Sequence, residues 1–125
     1  MIKKGYTAVA LHRDSRAWKD RVSDKNYVSL PLNTRTEVIS VRRNKWYSLR
    51  PRAIIEGQIY TLTPNDWAFT PVRVGELRRW KDERAAPFIV ISIDSHGCSC
   101  LGPDGKFEVS HRYVEEFSEV ISETG

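Results

Sequence analysis

The chain has few cysteines and no long apolar run. These two features argue against a disulfide-held secreted protein and against a protein with a membrane-spanning helix. Only two of its 125 residues are cysteine, which is too few for a small secreted scaffold held together by disulfides. No stretch approaches the ~20 consecutive apolar residues of a membrane-spanning helix. The apolar run at 6–11 ends at His12 and Arg13, too early for a signal peptide. We therefore expect a cytoplasmic protein without membrane contact.

Sequence motifs of the common enzyme classes are also missing. No G-x-S-x-G, H-E-x-x-H or P-loop pattern occurs. Asp94-Ser95-His96 contains the residue types of a catalytic triad, but consecutive residues in a turn cannot converge on one another. Gly102-Pro103-Asp104-Gly105 is followed by no helix whose N-terminus would hold a phosphate, so it predicts a hairpin turn. We expect no enzymatic activity and no cofactor.

The two cysteines raise the question of a metal site. Cys98 and Cys100 lie two residues apart on a predicted strand, so their side chains share a face and are expected to be reduced core thiols. With His96 and His111 they make four candidate zinc ligands. However, C-x-C on a strand presents its sulfurs in a row and does not bend the chain around a metal. The sequence therefore favours two buried cysteines and no zinc.

What the chain does contain is typical of a soluble globular protein. Hydrophobic residues make up 40% and charged residues 29% of the composition, which excludes the signature of disorder. The length predicts one domain, or at most two very small ones. A boundary is expected near Pro71, with the first part an elaboration packed on the second, because ~70 residues alone make a marginal core.

Short runs rich in β-branched residues, separated by turn residues, predict a mainly β fold. In the first part we expect strands at 6–11, 27–32, 36–42, 46–49, 54–63 and 67–74, with a break at Pro51 and a bulge or bend at Gly57. Asp14 is expected to cap a short helix over 15–22. The residues expected in the core are Ile39, Val41, Ile89, Ile91, Val109 and Val114.

The second part, 72–125, has its own pattern. A strand enters at Gly75, strands follow at 88–94, 98–101 and 106–110, and a polar piece at 78–86 is a helix or a loop. This order resembles the SH3-like barrels of KOW-type modules. By the same resemblance, 111–117 is the helical turn before the last barrel strand, which would be 118–121. The resemblance implies an SH3-like barrel that binds RNA, DNA, peptides or polymerase surfaces and that is not an enzyme. The region matching the partner-contacting loop, 76–86, lacks the second glycine of that motif.

Two clusters combine cations with aromatic rings. Arg42, Arg43, Lys45 and Trp46 surround a predicted hairpin turn, and Arg78, Arg79 and Trp80 repeat the combination. Nucleic-acid binders need cations for phosphates and flat rings for exposed bases, so both clusters are candidate binding surfaces. The alternative is that both tryptophans belong to the core and the cations only solvate the surface.

These features lead to one main hypothesis and two others. The chain has a formal net charge of +4, and its partner is expected to be nucleic acid or an acidic protein surface. A compact basic chain of short strands is similar in style to small phage proteins, which implies action in the host cytoplasm on nucleic acid or on a nucleic-acid machine. The alternatives are a structural component of the virion and an enzyme with an unrecognised site.

Overall fold

The computed structural model describes residues 2–19, 27–43, 49–81 and 86–123 and has a mainly β fold, as predicted. The chain divides into two compact units, an N-terminal unit of residues 1–71 and a C-terminal unit of residues 72–125. Each unit has its own antiparallel sheet. No helix within the described ranges has the length and apolar character needed to cross a membrane.

The N-terminal unit holds a seven-stranded sheet in the order β3-β2-β6-β5-β4-β1-β7. Side chains alternate between its two faces, as the strand repeat of two requires. One face packs a core in which small and large residues oppose each other, with Ala17 paired to Leu62 and Val38 paired to Ala53. The strands are β1 Thr7–Ala10, β2 Ser15–Trp18, β3 Tyr27–Leu30, β4 Arg35–Arg43, β5 Leu49–Ile55, β6 Gln58–Leu62 and β7 Trp67–Thr70.

Hydrogen bonds of Arg16 with Asp66 and Trp67 join strand β2 to the start of β7, which lies at the other edge of the sheet. We call these three residues the clasp. The backbone N–H and the Nε of Arg16 both donate to Oδ2 of Asp66, at 3.0 and 2.9 Å. In return, Nε1 of Trp67 donates to the Arg16 carbonyl at 2.9 Å. Because β2 and β7 are far apart in the strand order, these bonds require the sheet to curl until the two strands meet.

The clasp also sets the ionisation of Asp66. Burial of the carboxylate acts to raise its pKa, but the hydrogen bonds from Arg16 and the positive charges of Arg16 and His12 outweigh burial. The pKa of Asp66 therefore lies below its ordinary value of 3.8. The carboxylate is thus charged wherever the protein is near neutral pH.

Three local predictions in the N-terminal unit were wrong. The helix expected from Ser15 is strand β2, because β3 and β6 pair with it on both sides. Pro51 does not break the pattern: it lies inside β5 opposite Val41, just beyond the last residue of β5 that pairs with β6. Glu56 and Gly57, with φ of 51° and 79°, form a two-residue hairpin turn where a bulge or bend was expected.

The C-terminal unit contains the hairpins and the helical turn that its sequence predicts. Its strands are β8 Glu76–Trp80, β9 Phe88–Ile93, β10 Cys98–Gly102, β11 Gly105–Val109 and β12 Ser118–Glu123, in the order β11-β10-β9-β8-β12. Gly102 pairs with Gly105 to close the predicted turn. Helix α1, His111–Phe117, is capped by Ser110, whose Oγ accepts from the Tyr113 N–H at 3.1 Å. The first residues of the polar piece at 78–86 belong to β8.

Burial agrees with the core prediction at Val114 and contradicts it at Ile91. Val114 is fully buried, whereas Ile91 is 39% exposed and its neighbour Val90 is fully buried. The reason is a β-bulge: Cys100 pairs with Val90 and Ser99 with Ser92, so Ile91 is the extra residue. An extra residue shifts the alternation of side chains along a strand. The other four residues expected in the core are partly buried.

Replacing either Val90 or Ile91 of β9 with aspartate should show which of the two side chains lies in the core. Val90→Asp places an unpaired carboxylate in the core and should cost several kcal/mol of unfolding free energy. Ile91→Asp places it on the exposed bulge and should cost about 1 kcal/mol or less. Urea unfolding of both variants measures the difference, and equal losses would contradict the bulge.

The clasp should make the free energy of unfolding depend on pH. Asp66→Ala leaves the Arg16 N–H without its acceptor and should cost about 1–3 kcal/mol at neutral pH. Since the pKa of Asp66 is lowered, its contribution is present above pH 3.8 and is lost as pH falls through the lower folded value. Urea unfolding of both proteins at neutral pH and well below pH 3.8 should show the difference shrinking in acid. A difference independent of pH would contradict the clasp.

Candidate nucleic-acid interface

The face of the N-terminal sheet opposite its core carries a row of arginines. Arg42 on β4 pairs directly with Arg50 on β5, and Arg52 pairs with Ser40. Because paired residues in a ladder point to the same side, the three guanidinium groups share one face. Arg42 is exposed, and Arg50 and Arg52 are half-buried. Cations from two neighbouring strands are therefore gathered on one surface.

The same side of the sheet leads, through the buried Thr61 and Trp18, to the exposed Tyr27. Arg52 pairs with Thr61, Thr61 with Trp18, and Trp18 with Tyr27, in one row from β5 through β6 and β2 to β3. Arg16 lies two residues before Trp18 and so points to the same side. We name the set Arg16, Arg42, Arg50, Arg52 and Tyr27 the arginine face.

The buried Trp18 ring contacts two members of the arginine face, Arg16 and Tyr27. Its side chain is only 3% exposed. The guanidinium carbon of Arg16 lies 5.3 Å from its ring centroid, and the Tyr27 ring lies 6.0 Å away at a tilt of 56°. Tyr27 itself is 46% exposed. A buried indole thus holds a cation and an exposed phenol ring in position.

The charges of this surface are poorly compensated by acids. Among the described residues, no carboxylate forms an ion pair with Arg42, Arg50 or Arg52. Arg16 pairs with Asp66, yet its side chain remains 47% exposed. The whole N-terminal unit has 13 Lys and Arg against 6 Asp and Glu, a formal charge of +7. An anionic partner would therefore meet a net positive surface.

The first predicted cluster contributes one residue to this face. Arg42 is a member of it. Arg43 continues β4 opposite Leu49, and Lys45 and Trp46 lie outside the described residues. Among the described residues, Arg50 and Arg52 of β5 therefore join Arg42 on this sheet face.

The second predicted cluster is divided between the two sides of β8. Arg78 is 6% exposed, and its Nη1 donates to Glu76 Oε1 at 2.7 Å while its Nε donates to Ser118 Oγ at 2.8 Å. Arg79 points the other way and is paired with Glu119 at 2.9 Å on the exposed side. The C-terminal unit has 7 basic and 10 acidic residues, a formal charge of −3. These arginines are thus matched by acids within their own unit.

Trp80 belongs instead to an aromatic strip of the C-terminal unit. Its ring centroid lies 4.7 Å from that of Phe88, 6.2 Å from Phe107 and 5.3 Å from Tyr113. Tyr113 lies 4.8 Å from Phe117, and these two rings are 48% and 46% exposed. We call Trp80, Phe107, Tyr113 and Phe117 the aromatic strip. It extends from the buried Phe88 to the surface of α1.

The cysteines and histidines do not converge. Cys98 and Cys100 are free and buried, as predicted, and burial raises the pKa of their thiols to about 12 and about 11. Cys98 borders an open cleft of about 450 Å³ that Asp94 and His96 also line. Asp94 Oδ1 accepts the backbone N–H of His96 at 2.8 Å, so it shapes a turn. Within the described residues, no three metal-ligating side chains are grouped.

Sequence inspection misses most of the arginine face. Arg50 and Arg52 stand out in the sequence only as neighbours of Pro51, and Arg16, close to Trp18 and Lys19, lies in the segment for which a helix was predicted. The alternation Arg50-Pro51-Arg52 could have indicated two arginines on one strand face. The pairing of Arg50 with Arg42 could not be foreseen, because the bulge at Ile39 shifts the register of β4 against β5.

Comparison of the chain with protein-family models, with curated proteins and with solved structures finds no match. The two surfaces described above therefore provide the basis for a functional proposal. They differ in chemistry: the arginine face is cationic with one exposed ring, and the aromatic strip is apolar within an acidic unit.

Proposed function

We propose that the protein is a non-enzymatic nucleic-acid-binding protein whose arginine face contacts the phosphate backbone. The observation that carries the proposal is the direct pairing of Arg42 with Arg50 across β4 and β5. Like charges directly opposite each other destabilise a sheet. An anion that binds between them removes this repulsion, so the arrangement favours occupancy by a phosphate.

The chemistry of the side chains fits the same partner. Guanidinium groups present several N–H donors in a fixed plane and bind phosphate oxygens in pairs. Arg50 and Arg52 are two residues apart on an extended strand, about 6.6 Å along its axis. Cations repeated in this way along a strand suit a polyanion better than a single small anion. The formal charge of +7 on the N-terminal unit adds long-range attraction.

The C-terminal unit supports a binding role of a different kind. Its strand order, with β12 beside β8 and a helical turn before β12, is consistent with the SH3-like barrel that the sequence resembles. Its buried thiols have raised pKa values and are protonated at neutral pH, so they are poor nucleophiles. We propose a binding module here also.

A second candidate function, contact with another protein, is favoured by the aromatic strip. Tyr113 and Phe117 are each almost half exposed, and the neighbouring Arg112 is neutralised by Glu116 at 2.8 Å. Exposed rings without excess positive charge are typical of protein interfaces. The partner would be a component of a nucleic-acid machine or, under the phage hypothesis, another chain of the virion.

Removing the arginines should weaken nucleic-acid binding without unfolding the protein. For Arg42/Arg50/Arg52→Ala, the slope of log affinity against log salt should fall by about three, one for each phosphate that the variant no longer neutralises. Unfolding free energy should stay the same or rise by a few tenths of a kcal/mol, because like charges are removed. Fluorescence anisotropy with short DNA and RNA at several salt concentrations measures the slope.

The matched control removes the same charge elsewhere in the N-terminal unit. Lys3, Lys4 and Arg13 are all exposed, and Lys3/Lys4/Arg13→Ala should retain most of the binding. Equal loss in both triple variants would show attraction by net charge alone. Absence of salt-dependent binding by the wild type would remove the nucleic-acid proposal and leave the protein-binding one.

The aromatic strip can be tested by photo-crosslinking. A crosslinking amino acid at Phe117 should give a discrete protein adduct in cells of the source organism, whereas the same group at the exposed turn residue Asp104 should not. Tyr113→Ala should weaken the complex by ~2 kcal/mol or more, as expected for an interface aromatic. Adducts with nucleic acid alone would contradict a protein partner for this surface.

A further inference from the structure

We infer that the arginine face binds single-stranded nucleic acid, with the Tyr27 ring stacking on an unpaired base. This inference rests on the proposed function and adds the class of nucleic acid and the residue that selects it. It starts from Tyr27, an aromatic residue 46% exposed on the same sheet face as the arginines.

The first support is the spacing of ring and cations. Tyr27 lies on β3 and Arg52 on β5, three strand positions apart within one row of paired residues. At roughly 4.8 Å between strands, the row spans about 14 Å. A short single strand bridges this distance, with phosphates at Arg50 and Arg52 and a base at Tyr27. Sheet faces that combine rings and cations in this way are suited to splayed bases.

The second support is that the ring is held in place before any ligand arrives. The Trp18 indole contacts Tyr27 on one side and lies under the Arg16 guanidinium, 5.3 Å from its ring centroid. Trp18 is itself buried. A side chain fixed in this way loses little rotamer freedom on binding, so more of the stacking energy appears as affinity.

The third support is that the arginine face suits double-stranded nucleic acid poorly. Bases in a duplex are stacked on one another and expose only their edges in the grooves. Reading those edges in the major groove takes a helix or a two-stranded ribbon that enters it. The arginine face instead lies on a multi-stranded sheet, and its Tyr27 is 46% exposed. Tyr27 has nothing to stack against in a duplex, whereas any unpaired base offers a π-face.

The test compares a single-stranded oligonucleotide with the duplex of the same length at one salt concentration. Wild type should bind the single strand more tightly. Tyr27→Leu should weaken that binding roughly 5- to 150-fold, the range expected for one stacked base, and leave duplex binding unchanged. The salt slope should stay the same, because no cation is removed. Tyr27→Phe, which keeps the ring, should behave as wild type, and urea unfolding checks that both variants are folded.

Each outcome has a consequence. Equal binding of single strand and duplex, or an unchanged affinity in Tyr27→Leu, overturns the inference while leaving the proposed function in place if Arg42/Arg50/Arg52→Ala still lowers the salt slope. Loss of binding in Tyr27→Phe as well as Tyr27→Leu assigns the effect to the hydroxyl and also overturns stacking. Failure of the wild type to bind any nucleic acid removes both.

Discussion

The clasp between Asp66 and Arg16 is the interaction on which the N-terminal unit depends. One carboxylate oxygen accepts both the backbone and the side-chain N–H of Arg16, and Trp67 returns a bond to the carbonyl of the same residue. These bonds fix strand β2 against the far edge of its own sheet. Since Arg16 and Trp18 lie on β2 and Trp18 supports Tyr27, the same carboxylate also positions the aromatic end of the arginine face.

Charge is distributed differently in the two units, and the difference follows from how each arginine is paired. In the C-terminal unit, Arg78, Arg79 and Arg112 each meet a glutamate at 2.7 to 2.9 Å. In the N-terminal unit, Arg42 meets another arginine across the ladder. An arginine that forms an ion pair with a carboxylate stabilises a fold slightly or leaves its stability unchanged. Two arginines directly opposite each other, with no carboxylate between them, lower the stability of the sheet. The proposed binding of an anion would offset this cost.

Local patterns predicted most of the elements but not how they pair. Turn residues located the hairpin at Gly102–Gly105, because a tight turn depends on neighbours in sequence, and the resemblance to SH3-like barrels located the helical turn at 111–117. The face on which Ile91 lies depends on a bulge, and the pairing of Arg42 with Arg50 depends on the register of two strands. The strand at Ser15 depends on pairing with β3 and β6 and overrides local helix signals. Strand register and strand pairing depend on residues far apart in the chain, so local sequence patterns do not predict them.

The arginine face also explains why the arginines adjoin a proline in β5. Pro51 has a fixed φ and no N–H to donate, and it is fully buried on the core side opposite Val41. Its two neighbours must then point to the other side of the sheet. A buried proline therefore stiffens the strand segment that carries Arg50 and Arg52, and under the proposed function this stiffness would lower the entropy lost on binding. The same three residues thus contribute to the core on one side of the sheet and to the candidate binding surface on the other.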